Sequence, residues 1–358
     1  MRSSFSVLVL LAVLHGTEAA CNAPCPYYTL NVSADADPYR FTNILDTDFT
    51  RPNASLTWDS SPGLDWQAQA YNVTPSAARG PYGKAAELSN VVLDGETGLQ
   101  LWVRSKPLID MIPIAEIATA RNDILYGSFR VSMKTTAVNG TCGAFFLYHN
   151  DSQEIDMEFL SRQQQREEQV LNLVLQSPAS VAAGNNAALT PTFVPEVLFF
   201  DPTAEFHEYR FDWMPGSVDM YADGIWLHTF DANHNSSDAV PDSPGALHLI
   251  HWSSGDPGWS GRLPAQDAVM EVQWVRAWFN TSRGVEDGEV CVSDAAECQI
   301  PATGGPPAPQ ATPSASGTGS AGAEGTGAPK QSGSDSSPHA PLTMLSAILA
   351  FAVLVLAV

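Results

Sequence analysis

The chain has 358 residues, with 39 acidic against 17 basic side chains and a formal net charge of −22. So acidic a protein repels nucleic acid and anionic membrane surfaces, and neither is an expected partner. Its five cysteines have no zinc-like Cys/His spacing, so no metal or other cofactor is assigned from the sequence.

At the N-terminus, Arg2, the apolar stretch Phe5–Leu14 and the small pair Ala19-Ala20 before Cys21 have the order of a secretory signal peptide over 1–20. Secretion implies an oxidising compartment, where an odd number of cysteines leaves at least one without a partner in the chain. Cys291 and Cys298 are close in sequence and are expected to bridge each other. Cys21 and Cys25 could pair together or reach elsewhere. Cys142 precedes the apolar run Gly143–Tyr148 and is expected to be a buried free thiol. Seven Asn-x-Ser/Thr sequons, at Asn31, Asn53, Asn72, Asn139, Asn150, Asn235 and Asn280, suggest a glycoprotein when they follow a signal peptide.

Residues 21–283 read as one all-β domain. Period-two or apolar runs occur at Leu99–Val103, Ser128–Lys134, Ala144–His149, Glu154–Leu160, Val170–Gln176, His207–Trp213, Ser217–Ala222, Leu247–Trp252 and Glu271–Phe279. Turn pairs such as Asp94-Gly95, Pro215-Gly216 and Asp223-Gly224 separate them. Asp223-Gly224 predicts a two-residue hairpin. Asp110–Ala120 reads as a short helical turn. Two stacked antiparallel sheets in a jelly-roll β-sandwich fit this pattern.

Glu154-Ile155-Asp156-Met157-Glu158-Phe159 is the most informative stretch. Side chains alternate across a strand, so three apolar residues enter the core while three acids share the other face. Taken alone, such a row more often marks a solvated strand with a Ca²⁺ or Lys/Arg partner. Glycosidic bond cleavage gives it another use, because a retaining glycosidase needs an ionised carboxylate near a protonated one, about 5–5.5 Å apart. Glutamates at i and i+4 of a flat strand are about 13 Å apart at Cα, so this reading demands a concave sheet.

Sugar rings stack their C–H faces on aromatic rings. Trp252 and Trp259 are the expected cleft tryptophans, Trp259 because its loop Ser254–Gly261 is rich in turn residues. Trp213 joins them as a sugar-binding candidate, whereas Trp274 and Trp278 are expected in the core. Asn172 and Gln176 are candidate polar partners of the sugar, and His207 is a candidate for the sugar site, as a supporting partner, or else a structural histidine.

Beyond the domain, 284–337 is a short Cys-containing segment followed by a Pro/Gly/Ser-rich linker, expected to be a disordered stalk. The apolar tail within 338–358, preceded by small residues around Ser332, reads as a GPI-attachment signal. Ser332 is the expected attachment residue, and a retained tail anchor is the alternative. The chain is thus expected at the cell surface or cell wall, held to the membrane only through a lipid.

Four ordered blocks, Tyr126–Lys134, Glu154–Leu160, Phe206–Trp213 with Pro215-Gly216, and Trp252 with Asp256–Gly261, resemble glycoside hydrolase family 16. The resemblance is to secreted, GPI-anchored fungal members of the branch whose acidic strand has no extra residue. It implies a concanavalin A-like sandwich with a concave groove, Glu154 as nucleophile, Asp156 as its assistant and Glu158 as general acid/base. It further implies a monomeric retaining endo-β-glucanase or transglycosylase on cell-wall β-glucan, with chitin or glucan as acceptor in the second case. Family members often carry a structural Ca²⁺, for which no ligand set is evident here. Three departures stand out: Arg130 where relatives have Glu, Ser152 where they have an aromatic, and Ile250 where many have Asn. They motivate a second reading, a lectin-like wall-binding protein that keeps the fold without turnover.

Overall fold

A computed structural model describes residues 27–31, 37–51, 65–76, 80–164, 168–234, 236, 239–283 and 298–303. All of them fall within one compact unit, Met1–Ala308. The proposed signal peptide, Cys21, Cys25, Asn53, Asn235, Cys291, the linker, Ser332 and the apolar tail lie outside the described residues.

Among the described residues, two large sheets form a jelly-roll sandwich. The front sheet has nine strands. Its path runs Phe193–Leu198, Gln169–Gln176, Gln153–Leu160, Cys142–Asn150, Ala246–Trp252, Met111–Thr119, Gly83–Ala86 and Tyr71–Val73, with Trp66–Ala68 also pairing Met111–Thr119. The back sheet has eight, ordered Ile225–Phe230, Ser217–Ala222, His207–Met214, Ile124–Lys134, Ala268–Thr281, Gly98–Val103 and Val91–Asp94, with Asn43–Asp48 beside Ala268–Thr281. Pairing within the front sheet is antiparallel except where Gly83–Ala86 runs parallel to Met111–Thr119. The expected hairpin is present: Ala222 pairs with Ile225, and Asp223 and Gly224 take φ of +47° and +76°, as a type I′ turn requires.

The inter-sheet core forms because inward alternates on both sheets are large and apolar. Phe145 of the front sheet and Phe129 of the back sheet both pack on Phe211, with centroid distances of 5.2 and 5.0 Å. Phe159 meets Tyr209 edge-on at 4.7 Å. Ring pairs of this kind contribute about 0.5–1.5 kcal/mol each beyond their burial.

Two sequence expectations are corrected. Asp110–Ala120 contains no helical turn. Met111–Thr119 is a central strand, buried at every position after Met111, and a strand covered on both faces loses the period-two signature. Trp274 and Trp278 share a face, the outer face of the back sheet; Trp278 is a core residue as expected, in a second apolar cluster, and only Trp274 departs from the expectation. Their neighbours Val275, Ala277 and Phe279 enter the inter-sheet core. Trp278 is buried instead beneath a small sheet of Tyr28–Leu30, Tyr39–Phe41 and Cys298–Gln299, while Trp274 is half-buried beside Arg276, whose guanidinium lies 4.4 Å from the ring centroid.

Arg130 belongs to this back face. It lies fully buried 5.1 Å from the Trp278 ring centroid and donates to Pro301 O at 2.8 Å. Nearby, Arg210 pairs with buried Asp212 and donates to Ala302 O at 3.3 Å. Arg130 therefore fastens the segment after Cys298 to the sandwich, and its difference from relatives does not bear on the groove. Cys298 is disulfide-bonded to a partner outside the described residues. Cys142 is free and buried.

Candidate active site

Ile155, Met157 and Phe159 lie in the inter-sheet core, which leaves Glu154, Asp156 and Glu158 on the outer face of the front sheet. Pairing from Glu154 to Glu158 is unbroken on both sides, with no extra residue in the acidic strand. Register places Tyr148 and Gln176 beside Glu154, Phe146 and Val174 beside Asp156, and Ala144 and Asn172 beside Glu158. A cleft of about 490 Å³ opens over this face, and Glu154, Phe146, Tyr148 and Gln176 line it.

Burial and crowding perturb all three acids. Removal from water pushes Glu154 up to about 7. The charges of Glu158 and Asp151 push the same way, while a hydrogen bond from Asp156 and the charge of Lys84 pull it back. Asp156 is driven well above the usual carboxylate range, first by burial, then by the charges of Glu154 and Glu158, and then by its hydrogen bond to Glu154. That bond favours the proton on Asp156 and the charge on Glu154. Burial also raises Glu158 to about 7, opposed by hydrogen bonds from Cys142 and Trp259 and by the charge of Lys84. The Cys142 thiol donates to Glu158 Oε1 at 3.5 Å, and with burial as the main cause its own ionisation is pushed far up. The row thus holds one carboxyl, Asp156, on which burial and its neighbours favour the proton, beside two raised to about 7.

The same cleft carries a second polar group. Glu116, the single acid within Met111–Thr119, accepts from the Tyr71 hydroxyl and, at 2.8 Å, from His248 Nδ1. The His248 ring stacks on Phe146 at 4.8 Å, and Tyr148 donates to Asp151 Oδ1 at 2.9 Å. Both Glu116 oxygens are thereby engaged, which fixes the carboxylate as a rigid acceptor facing the cleft.

The model for glycosyl hydrolases family 16 matches residues 87–276, more than half of the chain. The chain belongs to glycosyl hydrolases family 16. It is 27% identical over 233 residues to a β-glucanase of Paenibacillus polymyxa, a match covering 63% of this chain and 84% of that one. Identity to a β-glucanase of Paenibacillus macerans is 29%, over 43% of this chain and 60% of the relative. The fold is similar to that of an endo-β-1,3-glucanase from Pyrococcus furiosus, with a TM-score of 0.53 at 17% identity over 71% of this chain and 99% of the other.

As a family 16 member the chain is a glycoside hydrolase, and the structure places each candidate sugar-binding residue relative to its cleft. Gln176 lines the cleft. Trp259 donates to Glu158 and packs on Phe193 at 5.7 Å. Trp252 is half-buried at the end of its strand, with the Lys84 ammonium 4.3 Å from its ring centroid. Three other sugar-binding candidates are corrected. Trp213 is buried in the inter-sheet core, its indole N–H donating to Pro241 O at 2.8 Å. His207 is on the back sheet, stacked on Phe200 and bonded to Asp223 at 2.7 Å. Asn172 sits beside Glu158 but is wholly buried, donating to the Glu158 backbone carbonyl at 3.1 Å and to Gln163 at 2.8 Å. It braces the acidic strand and has no surface to offer a sugar.

The sequence pattern does not single out Tyr71, Glu116 or His248. A lone acid in an otherwise apolar run was the available signal for Glu116; Tyr71 lies on a three-residue strand too short to show a period.

The Trp259 loop is tied down by Arg162, which follows the acidic strand. Its guanidinium donates to Trp259 O at 2.6 Å and to Gly258 O at 2.8 Å. Arg162→Ala is expected to lower kcat/KM about tenfold through lost alignment of Trp259 and Glu158, with little change in melting temperature. Steady-state kinetics alongside a thermal melt check this.

Among the sequon asparagines, Asn31, Asn72, Asn139 and Asn150 are exposed. Asn280 is half-buried, its amide donating to Arg40 O and its carbonyl accepting from Thr42. Among the described residues no group of three or more His, Cys, Asp or Glu is arranged to hold a metal ion, and no helix is long and apolar enough to cross a membrane.

Proposed function

We propose that the chain is a retaining endo-β-glycosidase or transglycosylase acting on cell-wall β-glucan. The observation that carries this reading is the carboxyl row itself. Asp156 and Glu154 share a hydrogen bond that favours the proton on Asp156 and the charge on Glu154, and a separately held acid, Glu158, lies further along the same face. In the first step the Glu154 carboxylate forms a bond to the anomeric carbon as the glycosidic C–O bond breaks. Glu158 gives its proton to the departing oxygen. In the second, Glu158 takes a proton from water or from a sugar hydroxyl, whose oxygen displaces Glu154 and releases the sugar with its configuration retained. Asp156 keeps its proton throughout and lends a hydrogen bond to the Glu154 oxygen that does not attack.

Trp252, Trp259 and Gln176 would contact the sugar chain. The β-glucanase names of the bacterial relatives support a β-glucan substrate, and water or a glucan or chitin hydroxyl would serve as acceptor. The enzyme would work as a glycosylated monomer outside the cell, with 1–20 removed, 21–283 and the packed segment 298–303 as its catalytic domain, and the region beyond as stalk and GPI signal with Ser332 as attachment residue. Incubation with laminarin, lichenan and labelled chito-oligosaccharides, followed by mass spectrometry, tests the activity. Products longer than the donor identify a transglycosylase, shorter products alone a hydrolase, and no product from any of them contradicts the reading.

The perturbed row also fixes the pH dependence. Below about 7, protonation of Glu154 removes the nucleophile; above about 7, Glu158 loses the proton it must donate. A narrow bell in kcat/KM centred near neutrality is therefore expected, its apparent values belonging to the row as a whole. A profile flat between about pH 5 and 9 would contradict this assignment of roles.

A further inference from the structure

Lys84 is the only lysine or arginine among the described residues that line the cleft, where it shares the walls with Glu116, Asp151 and Glu154. It stands on Gly83–Ala86, in register with Ile112 of Met111–Thr119. Gly83, Ala85 and Ala86 of that strand are buried and Lys84 is half-buried. Its ammonium lies 4.3 Å from the centroid of the Trp252 ring. The electron-rich ring face attracts a cation, so Trp252 helps to hold the Lys84 side chain above the sheet. Lys84 precedes the family-matched segment 87–276, so that match assigns it no role.

The acids have few other sources of compensating charge. Glu154 faces Asp156 and Glu158 on its own strand and Asp151 at the turn before it, with Lys84 the opposing charge. Glu158 is opposed by Lys84 and by the two neutral donors Cys142 and Trp259. Glu116 and His248 occupy the same cleft but are bonded to each other at 2.8 Å. A nucleophile that must be ionised while crowded by three acids needs a positive charge nearby, and a cation favours the charged form of each carboxyl it faces.

We propose that Lys84, seated over the Trp252 ring, is a positioning residue that keeps Glu154 ionised in the crowded carboxyl row. This rests on the assignment of Glu154 as nucleophile. Removing the cation favours the protonated form of both Glu154 and Glu158, so both limbs of the bell move to higher pH. Arginine keeps the charge and also stacks on tryptophan, so it should restore the profile.

The test is kcat/KM against pH, on whichever of laminarin or lichenan the wild type cleaves, for wild type, Lys84→Met and Lys84→Arg, with thermal melts to establish folding. For Lys84→Met the acid limb is expected to rise by at least about half a pH unit, read as a threefold or greater loss on the acid side that shrinks as pH rises. Lys84→Arg is expected to follow the wild type. The proposal is overturned if the Lys84→Met profile superimposes on the wild type, or if both variants lose activity equally at every pH. Glu154→Gln is measured in parallel. If it turns over normally, the assignment of Glu154 fails; if it is inactive while Lys84→Met leaves the profile unmoved, only the role of Lys84 fails.

Discussion

Glu158→Gln is expected to cut kcat by roughly 10²–10⁴ on polysaccharide, the range typical of losing a general acid. The amide keeps the size of the carboxyl, and its one carbonyl oxygen can still accept from the Cys142 thiol. It has no proton to give to a departing sugar oxygen. The loss should therefore be graded by leaving group. A β-glucoside whose aglycone departs readily as an anion needs little protonation, and the variant should approach the wild-type rate of glycosyl-enzyme formation on it. Comparing kcat/KM for polysaccharide and for such an aryl glycoside checks this. Equal losses on both would mean that Glu158 does something other than donate a proton.

Glu154→Gln is expected to abolish turnover on both kinds of substrate, by at least roughly 10³-fold, because no activated leaving group compensates for a missing nucleophile. The same substitution should stabilise the fold. An acid raised from 4.5 to about 7 on folding contributes fully below the unfolded value and loses that contribution as pH rises through the folded value. Above neutrality the native state must hold a buried, crowded charge that the unfolded chain holds in water. Removing it should raise the melting temperature at pH 8 by a few degrees, at roughly 2–4 °C per kcal/mol for a domain of this size, with almost no change at pH 4. A gain at pH 4 equal to that at pH 8 would show that charge burial is not its cause.

Much of this site was legible in the chain, and for a definite reason. The period of Glu154–Phe159 is strict, one face of its strand is core and the other cleft, so alternation alone separates Ile155, Met157 and Phe159 from the three acids. The hairpin at Asp223-Gly224 was equally clear because few residue pairs accept positive φ at both positions. Alternation fails where its premise fails. Met111–Thr119 is covered on both faces and shows no period, which hid Glu116. The pattern of His207–Met214 says which residues share a face but not which sheet the strand joins, and His207 and Trp213 were misplaced on that account. Asn172 lies on the correct face beside Glu158, but the turn residue Gln163 covers it, and no local pattern reports such a long-range cover. Lys84 and Tyr71 sit on strands of four and three residues, too short for periodicity to speak.

Three acids crowded on one buried strand face are costly to hold, and bond formation at Glu154 is what gives that arrangement a purpose. Trapping the intermediate tests this most directly. Wild type and Glu158→Gln would be treated with an activated 2-deoxy-2-fluoro-β-glucoside, then digested and mapped by mass spectrometry. One glycosyl adduct per chain, confined to the peptide carrying Glu154 and absent from Glu154→Gln, is the expected result. An adduct on another carboxyl, or complete turnover to a product of inverted anomeric configuration without any adduct, would contradict it.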